Sequence, residues 1–224
     1  DVDRSRPDLG LLLRLEPESA SLSLDASGEP LSHRGYRPAG GPAPLAESLA
    51  AGILLLAGYD GSQPLLDPMC GTGTLAVEAA LIATRTAPGI ARHFACERWP
   101  GHDPALLTRL RDRARARTRP AAAAILARDL DPAAVAATRR NLAAAGMAPW
   151  VRVETGDLDL AGLPEGSLVV TNPPYGHRIG EVDDLRPLYR RLGDQLKRHA
   201  AGSTAFVLVG ERELARELRL APRR

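Results

Sequence analysis

The sequence predicts an α/β fold, a doubly wound and mostly parallel sheet preceded by an N-terminal β-hairpin. Two observations predict it: short apolar runs that do not alternate with polar residues, and segments of helical length that separate these runs. Runs without alternation are typical of strands buried on both faces, which occur in parallel sheets covered by helices. Ligands bind such sheets at the carboxyl ends of the strands, so we expect the chemistry directly after each strand.

The first 36 residues differ in pattern from the rest of the chain. The leucine-rich runs 11–15 and 20–24 flank Glu16-Pro17-Glu18-Ser19 and predict a hairpin. A two-stranded hairpin is marginally stable by itself. We therefore expect it to pack on the main body or to be the remnant of a larger domain.

Helices and strands alternate from about Pro44 onward, and residues 37–224 form the expected main domain. The expected strands cover 64–67, 124–129, 151–153, 167–171 and 205–209. The expected helices cover 44–57, 74–84, 132–146 and 185–199, with Asp131 as the N-cap of the third. The first helix has an apolar face made of Ala46, Leu49, Ala50, Ile53, Leu54 and Ala57. Residues 88–119 form an insertion whose arginine-rich helix begins at about Pro104.

Composition excludes several classes of protein. No apolar run approaches the roughly 20 residues of a membrane span, and Asp1-Val2-Asp3-Arg4 does not resemble a signal peptide. Two cysteines cannot form a disulfide framework, so we expect a cytoplasmic protein. We also expect a monomer. The histidines have no ligand spacing, so we expect no metal.

The first expected strand ends in a glycine-rich turn, Asp67-Pro68-Met69-Cys70-Gly71-Thr72-Gly73-Thr74. The glycines allow close approach of a ligand, but G-x-G-x-x-A also fits a dinucleotide site, and a capping turn without a ligand stays an alternative. Asp67 would repel a pyrophosphate and hold an amino-acid ammonium. The next strand-end carboxylate, Asp129, lies far beyond the roughly 20 residues of a dinucleotide fingerprint.

Two further carboxylates lie at strand ends: Asp129 ends the second expected strand, and Asp157 follows the third. Asp129, with Leu130 beside it, can accept both hydroxyls of a ribose, although helix capping is an alternative role. Asp157 can accept from an adenine amine while Leu158 contacts the ring, and a plain Gly-Asp turn is the alternative.

The fourth expected strand is followed directly by Asn172-Pro173-Pro174-Tyr175. An exocyclic base amine is a poor nucleophile because its lone pair is delocalised into the ring. The Asn172 side-chain carbonyl and the Pro173 backbone carbonyl can accept both amine hydrogens and aim the lone pair at a methyl donor. The prolines stiffen the loop, and Tyr175 offers a face for an unpaired base. This motif predicts an amino-methyltransferase.

These motifs resemble those of the THUMP-associated RNA methyltransferases, and within them the bacterial 23S ribosomal RNA guanine-N(2)-methyltransferases. The resemblance also includes the segments 24–28, 31–37, 43–45 and 185–189. It implies a Rossmann-like class I methyltransferase fold, S-adenosylmethionine as the methyl donor and guanine in ribosomal RNA as the substrate. The implied catalytic residues are Asn172, Pro173, Pro174 and Tyr175. The implied cofactor residues are Tyr36, Arg37, Asp67, Pro68, Gly71, Gly73, Thr74, Asp129, Leu130, Asp157, Leu158 and Asn172.

The chain departs from the family pattern in three ways. Residues 1–36 resemble only the last hairpin of the THUMP domain, the chain ends before a final strand pair, and His177 stands where the family carries an acidic residue. Three alternatives remain open at this point: an adenine amino-methyltransferase on DNA or RNA, a nicotinamide-dependent oxidoreductase, and a non-catalytic RNA-binding module. The arginines at every second position from 109 to 119 fit either a phosphate-binding helix or a solvated surface.

Overall fold

The computed structural model describes residues 9–37, 45–175 and 181–222. The N-terminal hairpin is present as expected. Its strands β1 (Gly10–Leu15) and β2 (Ala20–Asp25) pair antiparallel, with Leu13 opposite Leu22. The turn between the strands is closed by reciprocal backbone hydrogen bonds between Glu16 and Ser19.

The main body is built on a five-stranded parallel sheet. Its strands are β3 (Leu65–Asp67), β4 (Ile125–Asp129), β5 (Val151–Thr155), β6 (Leu168–Thr171) and β7 (Thr204–Val207). The strand order is β5-β4-β3-β6-β7, so the order reverses at β3. The crevice at this reversal is where open α/β sheets bind ligands.

Six α-helices accompany the sheet in the described part of the chain. They are α1 (Glu47–Leu56), α2 (Thr74–Ala83), α3 (Pro104–Arg115), α4 (Pro132–Ala144), α5 (Glu181–His199) and α6 (Arg212–Glu217). Asp131 caps α4 as predicted, because its carboxylate accepts from the Ala133 amide at 2.8 Å. The described helices include none long and apolar enough to cross a membrane.

Helices cover both faces of the sheet, which confirms the doubly wound α/β prediction. Leu65 faces a core that includes residues of α1, α2 and α4. Leu66, the next residue of β3, faces a second core with Leu192 and Leu196 of α5. Successive residues of a strand point to opposite faces, so this central strand separates the two cores.

The first helix differs from its prediction. It begins at Glu47, and Pro44 lies outside the described residues. Leu49, expected on the buried face, is half exposed, whereas Glu47 is buried. The physical reason is an ion pair: Arg37 lies 3.7 Å from the Glu47 carboxylate and draws that side of the helix inward.

The fifth helix begins four residues before the expected position, at Glu181, and contains Pro187 in its interior. An ion pair of 2.8 Å between Asp183 and Arg186 stabilises the additional turn.

The insertion is attached to the chain that leaves the hairpin. The buried Arg92 guanidinium donates to the carbonyls of Pro30 at 3.0 Å and His33 at 3.3 Å, and also to those of Ser27 and Glu29. Without Arg92, these carbonyls would lose their hydration in this partly buried region without gaining another donor. One guanidinium has enough N–H groups to satisfy several of these acceptors. Residues 27–33 are thereby fixed to the main body.

Candidate active site

The turn after β3 is shaped by two glycines with positive φ angles, 54° at Gly71 and 81° at Gly73. A Cβ atom at Gly73 would lie 2.5 Å from the Thr138 side chain of α4, so this position requires glycine for space as well as conformation. A Cβ atom at Gly71 would meet nothing within 4 Å. The turn is therefore closed on its α4 side and open at Gly71, where a ligand can approach the backbone.

Asp129 ends β4 and reaches the glycine turn. One of its carboxylate oxygens accepts from the Gly71 amide at 2.7 Å, and the other accepts from the Asp131 amide at 3.0 Å. Each carboxylate oxygen has a second lone pair available. The adjacent Leu130 side chain is 68% exposed at the same edge of the sheet, so an apolar surface lies beside the carboxylate.

Asp67 and Pro68 lie beneath this turn. Asp67 is only 1% exposed and accepts from the Met69 amide at 3.3 Å, and Pro68 is also buried. Burial raises the pKa of Asp67 to about 7, with a smaller contribution from the nearby Asp129. The Asp67 carboxylate is thus shielded from solvent beneath the glycine turn.

Asp157 and Leu158 follow β5 and have opposite environments. The exposed Asp157 carboxylate accepts from Arg191 of α5 at 2.7 Å, and this partner lowers the pKa of Asp157. Leu158 is 3% exposed and packs in the second core. The Asp157 carboxylate faces solvent, on the side where we expected the adenine. The Leu158 side chain instead faces the second core, away from the expected adenine position.

Tyr36 and Arg37 approach the glycine turn from the N-terminal side. The Tyr36 hydroxyl donates to Glu78 of α2 at 3.3 Å, inside the first core. The Arg37 guanidinium donates to the Thr74 hydroxyl at the start of α2. The structure thus brings Arg37 and Thr74 together, so Arg37 contacts the first residue of α2, directly after the glycine turn.

The catalytic-loop candidates leave β6 at the reversal of the sheet. Pro173 is buried, Pro174 is exposed, and Asn172 and Tyr175 are intermediate. The Oδ1 atom of Asn172 is buried and has no hydrogen-bond partner in the described part of the chain. An unpartnered buried acceptor costs about 1–3 kcal/mol, so this oxygen is available for a donor that the protein does not supply.

Sequence reasoning missed two residues that contact the site candidates. Arg191 binds Asp157, and the Tyr189 hydroxyl donates to the Pro174 carbonyl at 3.1 Å. Both lie on α5, separated from their partners by 34 and 15 residues. The only sequence signal was that Tyr189 ends the family-like segment 185–189.

Three arginines of the series from 109 to 119 make contacts within the protein, and the last of them lies beyond α3, which ends at Arg115. Arg111 donates to Glu97 at 3.0 Å, Arg115 lies 3.0 Å from Asp112, and Arg119 donates to the Ala83 carbonyl at 3.3 Å. These contacts favour the solvated-surface interpretation for these members of the series. Within residues 9–37, 45–175 and 181–222, no group of acidic, histidine or cysteine side chains could hold a metal.

Relatives with curated names resemble nearly the whole chain. The chain is 43% identical to a protein from Syntrophotalea carbinolica named "Ribosomal RNA large subunit methyltransferase K/L", over 97% of this chain and 32% of that protein. The match to the protein of the same name from Methylococcus capsulatus is 42%, over 96% of this chain and 30% of that protein. The chain therefore spans about a third of the length of these relatives.

A solved structure with the same fold contains a cofactor product. SMU.472, described as a putative methyltransferase complexed with SAH, superposes with a TM-score of 0.86 and 30% identity, over 94% of this chain and 55% of that one. Residues 34–224 match the family model described as "RMKL-like, methyltransferase domain". The chain therefore belongs to the family of RMKL-like methyltransferase domains.

Proposed function

We propose that this chain is the catalytic domain of an S-adenosylmethionine-dependent enzyme that methylates the N2 amine of guanine in large-subunit ribosomal RNA. The observation that carries the proposal is the buried, unpartnered Oδ1 atom of Asn172 at the point where the sheet order reverses. An acceptor in this position suits a donor that arrives with the substrate, and a base amine is such a donor. The names of the relatives supply the class of RNA.

The residues at the carboxyl ends of the strands fit the cofactor. In the glycine turn, the Thr72 hydroxyl is buried without a hydrogen-bond partner among the described residues, so it can bind a polar ligand. Asp129 would hold the ribose and Asp67 the ammonium, while Asp157 would accept from the adenine amine. When bound, S-adenosylmethionine supplies an electrophilic methyl group next to its sulfonium.

The protein's contribution to the reaction is orientation of the amine. Asn172 Oδ1 and the Pro173 carbonyl accept one hydrogen each, which favours a tetrahedral nitrogen with its lone pair directed at the donor. Tyr175 supports the base by stacking. The site needs no general base with a strongly shifted pKa, because the proton can leave after transfer, so its main effect is preorganisation.

A second candidate, methylation of adenine, has a specific observation in its favour. A structure described as a predicted N6-adenine-specific DNA methylase, from Listeria monocytogenes, is 31% identical with a TM-score of 0.86, over 93% of this chain and 55% of that one. The Asn-Pro-Pro-Tyr motif serves either base, because both carry an exocyclic amine.

Product analysis separates the two candidates. The chain is incubated with methyl-labelled S-adenosylmethionine and unmethylated large-subunit ribosomal RNA, and the RNA is digested to nucleosides. We expect the label in N2-methylguanosine. Label in N6-methyladenosine with unmodified guanine would overturn the choice of base.

We also propose that the hairpin belongs to a neighbouring THUMP-type RNA-binding domain of a longer protein. One face of the hairpin consists of leucines and one alanine, and its five leucines are between 54% and 72% exposed: Leu11, Leu13, Leu15, Leu22 and Leu24. Apolar faces of this kind mark protein interfaces. The relatives' threefold greater length provides room for such a domain.

A further inference from the structure

The loop of residues 172–175 is contacted by two elements other than its own strand. Tyr189 of α5 is fully buried, and its hydroxyl donates to the Pro174 carbonyl at 3.1 Å. Gly210 follows β7, and a Cβ atom at this position would lie 2.9 Å from the Tyr175 ring. The loop is thus held by a hydrogen bond from α5 and packs against bare backbone at Gly210.

The Tyr189 hydrogen bond restricts the part of the loop that the prolines leave free. Prolines fix φ at positions 173 and 174, so the remaining freedom is mainly rotation of the peptide planes. Holding the Pro174 carbonyl fixes the plane that joins Pro174 to Tyr175. Burial raises the pKa of Tyr189 to about 12, so the hydroxyl keeps its proton and remains a donor at every pH at which the protein would be assayed.

Gly210 acts through its lack of a side chain. Gly210 is exposed and does not have a positive φ angle, so residues other than glycine can adopt its backbone conformation. The restriction is the side chain of Tyr175, whose Cδ2, Cγ and Cβ atoms would all lie within 3.1 Å of a methyl group at position 210. Any side chain at 210 would therefore displace the ring.

We propose that Tyr189 and Gly210 are positioning residues that set the Asn172–Tyr175 loop for catalysis, Tyr189 through the Pro174 carbonyl and Gly210 through its contact with the Tyr175 side chain. This inference rests on the proposed function, since it assigns the loop to the reacting amine. Neither residue contacts the reacting atoms. Both act by fixing the acceptors and the stacking surface before the base arrives.

Fluorine NMR tests this role without an activity measurement. The chain has four tyrosines, so 3-fluorotyrosine labelling gives four resonances, and removal of single tyrosines assigns them. Tyr189→Phe is compared with Tyr59→Phe, a matched control because Tyr59 is 2% exposed and its buried hydroxyl has no hydrogen-bond partner among the described residues. We expect Tyr189→Phe to shift or broaden the Tyr175 resonance and Tyr59→Phe to leave it unchanged.

Kinetics supply the second measurement. We expect Tyr189→Phe to lower kcat for methyl transfer to ribosomal RNA by about 10-fold or more, because small misplacement of reacting groups is costly. The KM for S-adenosylmethionine should stay unchanged. Gly210→Ala should act similarly, whereas Gly52→Ala is its matched control, because a Cβ atom at Gly52 meets nothing within 4 Å.

The outcomes distinguish this inference from the function on which it rests. A Tyr175 resonance unaffected by Tyr189→Phe and Gly210→Ala, or a kcat equal to that of the controls, would overturn the positioning role alone. Absence of methyl transfer to any base by the wild-type chain, with cofactor bound, would contradict the proposed function and this role with it.

Discussion

Asn172 follows β6 and Asp129 ends β4, the two strands that flank β3, and we expect them to act on different molecules. Asn172→Ala should reduce methyl transfer by about 10²-fold, the scale of losing one preorganised polar contact, with little change in cofactor affinity. Asp129→Ala should mainly weaken cofactor binding, since it removes the ribose acceptor and the hydrogen bond to Gly71. Calorimetry with S-adenosylmethionine and methyl-transfer assays measure the two effects.

The control for Asp129→Ala is Asp131→Ala, two residues away. It removes the cap on the Ala133 amide, at a cost of about 1 kcal/mol, without contacting the glycine turn. Normal cofactor affinity in Asp129→Ala, or collapse of cofactor binding in Asn172→Ala with normal turnover, would contradict the assigned roles.

The raised pKa of Asp67 predicts how the free energy of unfolding depends on pH. Its folded-state pKa of about 7 exceeds the ordinary value of 3.8, so the folded chain binds the extra proton between these values. Unfolding free energy therefore falls as pH rises through this window, by at most about 1.4 kcal/mol per pH unit. Asp67→Asn removes this dependence while keeping an acceptor for the Met69 amide.

Thermal denaturation of both proteins between pH 5 and pH 8 measures this effect. We expect the Tm of Asp67→Asn to rise relative to that of the wild type as the pH rises. Parallel pH profiles for the two proteins would show that the buried carboxylate titrates normally.

At the scale of elements, the packing of α6 on α5 depends on Gly193. A Cβ atom there would lie 2.1 Å from the Leu218 carbonyl oxygen, so the backbone at the end of α6 would have to move. We expect Gly193→Ala to destabilise the chain by about 1–3 kcal/mol, although alanine is the better helix former. Gly52→Ala, in an open position of α1, should stabilise it by up to about 1 kcal/mol.

Urea denaturation of Gly193→Ala and Gly52→Ala shows whether backbone packing or helix propensity determines the change in stability at position 193. Opposite signs of the change in unfolding free energy support the packing account. A stabilised Gly193→Ala would show that α6 does not pack on α5 as described.

The sequence predicted those elements whose signals are local. β3 and β6 begin with continuous apolar runs, Leu65-Leu66 and Leu168-Val169-Val170, and α4 has both its N-cap Asp131 and Pro132 in the expected places. The six-residue α6 was not predicted, because only Leu214 of it is buried and its attachment comes from Glu217, whose carboxylate is bound by Arg186 and Arg190 of α5.

In the candidate active site, too, features with local sequence signals could be predicted and features that depend on distant contacts could not. The turns after β3 and β6 could be predicted because glycine and proline determine backbone conformation within a few residues. The contact of Arg191 with Asp157 and that of Tyr189 with Pro174 depend on how α5 packs on the sheet. No local pattern specifies such a contact, and the same holds for the burial of Leu158.

At the scale of the whole molecule, we expect the hairpin to contribute little to the stability of the chain, because its leucines are exposed. Leu13 and Leu22 form a cross-strand pair and are 59% and 68% exposed, so the double substitution Leu13→Ser and Leu22→Ser loses little buried area. We expect the Tm to change only slightly, since surface substitutions cost about 0.5 kcal/mol or less. Self-association, measured by sedimentation, should decrease because the apolar face is interrupted.

The double substitution Leu65→Ser and Leu66→Ser in β3 is the control, because both residues are buried in the two cores and should be strongly destabilising when replaced. A comparable loss of Tm from the hairpin substitutions would show that the leucine face packs within this chain and would contradict its assignment to a neighbouring domain.

A crystal structure of the chain with S-adenosylmethionine tests the central claim most directly, namely that the Asn172 loop faces the methyl donor across a space for a base. We expect the sulfur-bound methyl carbon to point toward the Asn172 Oδ1 atom, with room for a purine against Tyr175. A methyl group directed away from this loop, or a loop with no space for a base beside it, would contradict the account.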